Sequence, residues 1–190
     1  MGIIHSCLEI LSERIMLISL MNCLFFGAFF VGSLVLQTYS PLLKYPEYKE
    51  IKGYSCNGDG LNLFVYVFSN NLFLSSLLLV TLPGVVFFLF PSALLVWKAG
   101  LWGFLFAYLP SERFVAALPV IILEGEAYVL GGVAGTILGL SWLKPEWINY
   151  EGKWRVECLK RALREAGYIY VLVVFLLLVA AIIETVILCA

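Results

Sequence analysis

The stretch from Leu118 to Leu143 reads LPVIILEGEAYVLGGVAGTILGLSWL, and its reading decides the fold. About 20 apolar residues cross a bilayer at 1.5 Å per residue, so this run is long enough for a transmembrane helix. Two carboxylates, Glu124 and Glu126, nevertheless lie inside it. Ala127, Gly131, Gly135 and Gly139 follow at four-residue steps, a spacing that lines small side chains along one helix face. A neighbouring helix can approach such a ribbon closely. Glu124 stands three residues before Ala127 and heads the same face. A charge at mid-membrane costs roughly 2.5–3.5 kcal/mol on insertion scales, so Glu124 is expected to face protein or water.

Composition extends this reading to the whole chain. The 190 residues are 62% hydrophobic and 13% charged, with a mean hydropathy of +0.98. Soluble domains are about one quarter charged. The expected fold is therefore all-α: a polytopic transmembrane bundle of five spans plus a cytoplasmic amphipathic helix, one membrane domain over residues 1–190. The spans are placed at 15–36, 61–82, 84–108, 115–142 and 167–189. The first apolar run is too long for a signal peptide and lacks a suitably placed small-x-small site, so it reads as a retained span. Within it, Ala28 and Gly32 form another small pair for helix packing. Residues 38–60 are rich in Pro, Gly, Lys and Tyr and read as a polar surface loop. Pro83-Gly84 reads as the turn between the second and third spans, and Pro91 as a kink in the third.

Charge sets the orientation. Residues 144–165 are the most charged part of the chain. Trp154, Cys158, Leu159, Ala162, Leu163 and Ala166 fall on one side of a helix there, opposite Lys153, Lys160, Arg161 and Arg164. This reads as an interfacial amphipathic helix against anionic headgroups. The concentration of Lys and Arg places the segment, and by counting back the amino terminus, in the cytoplasm, with the carboxyl terminus outside.

Several function classes are excluded by inventory. The net charge of −1 argues against a nucleic-acid partner. The five cysteines are scattered without metal-ligand spacing and read as small apolar fillers, Cys56 alone falling in an extended loop. His5 is the single histidine and Asp59 the single aspartate, so neither a zinc protease, a Ser–His dyad within the spans nor a two-aspartate protease can be built. No catalytic residue, metal site or cofactor is expected, and the chain reads as a non-enzyme.

The intramembrane polar residues carry what chemistry there is. Asn70 and Asn71 lie near the middle of the second span, where they can hydrogen-bond across helices. Lys98, near the far end of the third span, is expected to snorkel outward in preference to pairing with a glutamate. Glu184 follows Ala180 and Ala181 in the last span and comes near Glu124 if the last two helices run antiparallel. Two readings stand: the carboxyls satisfy buried groups and fix helix register, which is favoured, or they form a proton or cation site.

These segments resemble the stage II sporulation protein M family of small polytopic membrane proteins. Pro119, Glu124, Ala127 and the glycines that follow resemble that family's Pro-His-Gly-x-x-Glu-x-x-Ala segment. Ala180, Ala181 and Glu184 resemble its Ala-Ala-x-x-Glu ending, and Asn70-Asn71 the Asn pair of its second membrane segment. Val120 and Ile121 stand where the family has His-Gly, and Lys98-Ala99 where it has Asn-Gly. The resemblance implies an all-helical membrane protein without known catalytic activity. In spore formers it implies a scaffold for cell-wall hydrolases; relatives also occur in organisms that do not sporulate. The expectation is a scaffold in the lipid bilayer of the cell membrane that self-associates through its glycine faces and binds a membrane or envelope protein. The alternative is a small channel or proton- or cation-coupled transporter using Glu124, Glu126 and Glu184, with Asn70 and Asn71 lining the path.

Overall fold

The computed structural model describes residues 3–39, 60–150 and 154–189. Helix α1 covers Ile3–Glu13, α2 Ile15–Tyr39 and α3 Gly60–Ser69. The chain then winds as a π-helix over Asn70–Thr81 before α4, Leu82–Val86. Helices α5, α6 and α7 cover Phe90–Phe106, Ser111–Leu143 and Arg155–Cys189, with a 3-10 turn at Pro145–Ile148. Among the described residues four helical stretches are long and apolar enough to cross a membrane: Ile15–Thr38, Gly60–Val86, Ser111–Leu143 and Arg155–Cys189. Helix α5 is apolar but shorter, at 17 residues. The loop expected over 38–60 lies, from 40 to 59, outside the described residues, and Cys56 and Asp59 lie there with it.

Helix α6 is the centre of the bundle. Every residue from Ala127 to Ser141 is buried, so the helix is enclosed on all sides rather than along one stripe. A helix apolar all round is the kind that occupies such a position. It packs most extensively against α7, while α2 packs most against α5. Helices α2 and α5 run parallel: Ser92 Oγ lies 3.5 Å from Met21 Sδ, and Ser33 Oγ donates to the Gly103 carbonyl at 3.0 Å further along both helices. The α6 ribbon meets the π segment, α4 and α5. A Cβ on Gly135 would sit 2.8 Å from the Thr81 carbonyl oxygen, and one on Gly84 2.6 Å from that of Gly135. Gly139 likewise faces the Gly84 carbonyl and Phe88, and Gly32 faces Gly100 of α5.

Two sequence expectations about the elements change. The turn falls at 87–89, not at Pro83-Gly84: Pro83 lies within the continuous helical stretch Gly60–Val86, and Pro91 sits in the first turn of α5. There the missing N–H has no ladder partner to lose, so Pro91 starts α5 instead of kinking a longer span. Carbonyls freed at this turn are satisfied by α6: Thr136 Oγ1 donates to Phe88 O at 3.2 Å and Trp142 Nε1 to Val85 O at 2.8 Å. Second, the amphipathic segment and last span are one helix of 35 residues that runs straight through Gly167. Its buried row is Cys158, Ala162, Glu165 and Ala166, whereas Trp154 and Leu163 are 83% and 56% exposed. Ahead of the first expected span, residues 3–13 form a helix of their own, and backbone bonding continues through Arg14 into α2. Cys7, Cys23 and Cys158 are thiols outside any disulfide, whereas Cys189 is disulfide-bonded and so is not an apolar filler.

Candidate functional site

The π segment positions the polar side chains of the bundle interior. Its backbone bonds reach the fifth residue, so Asn71, Ser76 and Thr81 follow one another along the bonding direction. The Asn71 amide donates to Glu124 Oε1. Thr81 Oγ1 donates to the Gly131 carbonyl at 2.8 Å and, its one proton committed, accepts from Tyr170 Oη of α7 at 2.6 Å. Ser76 Oγ lies 3.4 Å from the same tyrosine oxygen. A single polar row thus ties the second hydrophobic pass to both α6 and α7.

Glu124 is the hub of this row. It is 6% exposed, held by Asn71, and interacts electrostatically with Lys98 of α5 and Glu184 of α7. Lys98 does not snorkel outward. Its Nζ lies 3.6 Å from the Tyr128 ring centroid and 5.2 Å from that of Trp102. The reason is local: Tyr128 lies one helical turn beyond Glu124 and is fully buried against α5, offering the ammonium a π face beside a carboxylate. Replacing Lys98 by Met is expected to lower stability by about 1–2 kcal/mol, the range for a desolvated cation–π contact. Thermal unfolding in detergent measures this, and an unchanged midpoint refutes the contact.

The remaining residues singled out by sequence divide. Glu184 joins the hub through its coupling to Glu124 and is partly buried. Glu126 does not join it: it turns toward α2, where Asn22 Nδ2 donates to its Oε2 at 3.4 Å. Asn70, half-buried at the start of the π segment, takes no part in the hydrogen bonds that tie Asn71, Ser76 and Thr81 to their neighbours. Ala127 and the three glycines of the ribbon pack within the chain, as do Ala28 and Gly32 against α5.

Sequence reading missed a second centre at the end of the bundle where α1, the 144–150 connection and the start of α7 meet. Arg14 Nη2 and Glu165 Oε2 form an ion pair of 2.9 Å in which both side chains are 7% exposed. Arg14 Nη1 also donates to the Ile148 carbonyl at 3.2 Å, and Arg161 Nε binds the other oxygen of Glu165 at 3.0 Å. The Tyr150 ring lies beneath both guanidinium groups, 5.7 Å from Arg14 Cζ and 4.7 Å from Arg161 Cζ. Burial first, and then the Glu165 carboxylate, push its phenol above the ordinary value, keeping it neutral. A signal existed: Glu165 falls on the row of Cys158, Ala162, Ala166 and Ile169, an acid at helical spacing within an apolar face.

The fold and this interior define a class, the helical-bundle membrane proteins whose intramembrane polar groups pair with one another. Within that class the chain belongs to the stage II sporulation protein M family, whose model matches residues 16–187. No curated relative and no solved structure matches the chain.

Proposed function

We propose that this protein is a non-enzymatic, multi-pass scaffold of the cell membrane that self-associates and binds a membrane or cell-envelope protein. The observation that carries the reading is the Glu124 hub. Its carboxylate is 6% exposed and bonded to Asn71, so the most costly polar group of the interior serves helix register rather than a water-filled path. Self-association has to use surface other than Gly131, Gly135 and Gly139, since those glycines pack against the chain's own helices. Orientation follows from charge: Arg14, Arg155, Lys160, Arg161 and Arg164 gather at the end where α1 and the start of α7 meet, which makes that end cytoplasmic. The disulfide at Cys189, at the other end of α7, suits the oxidising side.

One observation favours the transporter reading. Glu184 is only partly buried and is coupled to Glu124, which gives a carboxylate pair reaching toward the carboxyl end of α7. Ion flux in proteoliposomes separates the two, comparing the parent chain with Glu124→Gln and Glu184→Gln. Under an imposed proton or cation gradient the expected result is a tight bilayer for all three proteins. A leak in the parent that either substitution abolishes refutes the scaffold reading and makes the glutamates a transport site.

A further inference from the structure

A cleft of about 330 Å³ opens between α1 and the first turns of α7. Glu9 and Glu13 line it from α1, and Arg161, Arg164 and Tyr168 from α7. The cleft therefore presents both signs of charge on opposing walls. Arg161 is engaged with Glu165 and, at 3.9 Å, with Glu13, whereas the Arg164 guanidinium forms no ion pair among the described residues. Among the described residues the Glu9 carboxylate has one loose ionic contact, with His5 at 4.0 Å, and both side chains are more than half exposed.

Two further features place this cleft at the membrane surface. Trp147 and Trp154 stand 60% and 83% exposed at the same end of the bundle, and tryptophan collects at the headgroup level. Below the cleft, the α7 face continues from Arg164 through Tyr168 to Val171, Phe175, Leu178 and Ile182 in steps of three and four. Val171, Phe175 and Ile182 are 50%, 61% and 48% exposed, an apolar track leading directly away from the polar cleft.

We infer that the cleft binds a phosphate ester bearing a primary amine, presented as the headgroup of an aminophospholipid whose chains lie along Val171, Phe175 and Ile182. The phosphate meets Arg164 and the free edge of Arg161, because a guanidinium donates in a fork that suits phosphate oxygens. The ammonium meets Glu9 and Glu13, which accept its N–H groups. A purely anionic headgroup leaves these two acids facing like charge, so the basic residues of this segment do not by themselves select anionic lipid.

Native mass spectrometry of the full chain in detergent, with added phosphatidylethanolamine, phosphatidylcholine or phosphatidylglycerol, tests this. Phosphatidylethanolamine is expected to be retained about tenfold better than phosphatidylcholine, whose quaternary amine has no N–H to donate, the discrimination of one charge-assisted hydrogen bond. Glu9→Gln, at an exposed position that leaves the fold intact, is expected to abolish the preference, and Arg164→Gln, equally exposed, to lower the retention of all three lipids, which share the phosphate. Equal retention of the three lipids, preference for phosphatidylglycerol, a preference unchanged in Glu9→Gln, or retention unchanged in Arg164→Gln overturns the inference. Excess O-phosphoethanolamine distinguishes the sources: failure to displace the lipid supports the membrane as the source. Binding of the soluble compound alone, with no lipid retained, overturns the lipid assignment.

Discussion

Glu165→Ala is expected to destabilise the bundle by about 3–5 kcal/mol, the cost of removing one partner from a buried ion pair. The substitution strands the Arg14 guanidinium at 7% exposure, leaving it, among the described residues, the Ile148 carbonyl and the Tyr150 ring. Arg161 contributes less to the loss, since it is 40% exposed and can turn to water. Removing both charges in Arg14→Met with Glu165→Leu is expected to recover most of the stability, because well-packed apolar replacements avoid the desolvation of two ions. The measurement is a double-mutant cycle by chemical unfolding in detergent. A single variant within 0.5 kcal/mol of the parent contradicts the role assigned to the pair, 0.5 kcal/mol being about the usual scatter of surface substitutions.

The second large effect is expected at Gly135. Leucine there is expected to cost about 3 kcal/mol or more, the upper end of the range for overpacked cores. The first added carbon already meets the Thr81 carbonyl oxygen at 2.8 Å, Thr81 Cα at 3.0 Å and Pro91 Cγ at 3.1 Å. Two of these are backbone atoms, and the third belongs to a ring fixed in the first turn of α5, so none can swing away. Gly132 is the control, because its added carbon meets Leu95 Cδ1 at 2.6 Å, the movable tip of a side chain. Gly132→Ala is accordingly expected to be mild, at about 1 kcal/mol. Since the Gly135 contact lies within the chain, the melting temperature is expected to fall without a change in oligomer size. Dissociation at unchanged stability shows instead that the ribbon faces a second copy.

The contrast shows what was legible in the sequence. The four-residue spacing of Ala127, Gly131, Gly135 and Gly139 identified a close-packed face on chemistry that any helix obeys. Its partner was not legible, because Pro83-Gly84 read as a turn while the helix in fact carries Gly84 on to the Gly135 and Gly139 crossing. Glu124 and Asn71 were found from the cost of burying polar groups, but their union needed a register no local rule supplies. The polar row of Asn71, Ser76 and Thr81 was invisible for a different reason: a period of 3.6 does not align residues five apart, and π winding does. Lys98 was misplaced because snorkelling is judged from the residue's own helix, whereas its π partner, Tyr128, comes from α6.

The shortness of α5 has a consequence for the bilayer itself. Its 17 residues make a helix of about 26 Å, below the roughly 30 Å of a typical hydrocarbon layer. Helices α6 and α7 have 33 and 35 residues, so the deficit is confined to one flank. In a multi-pass arrangement, lipid beside α2 and α5 must thin or tilt to meet this flank, at fractions of a kcal/mol per Å. Such a strained annulus is reduced when two thin flanks adjoin or when the surrounding membrane is itself thin. Hydrophobic mismatch thereby gives the molecule a preferred membrane thickness and a preferred edge for clustering, set by the length of one helix rather than by any specific contact.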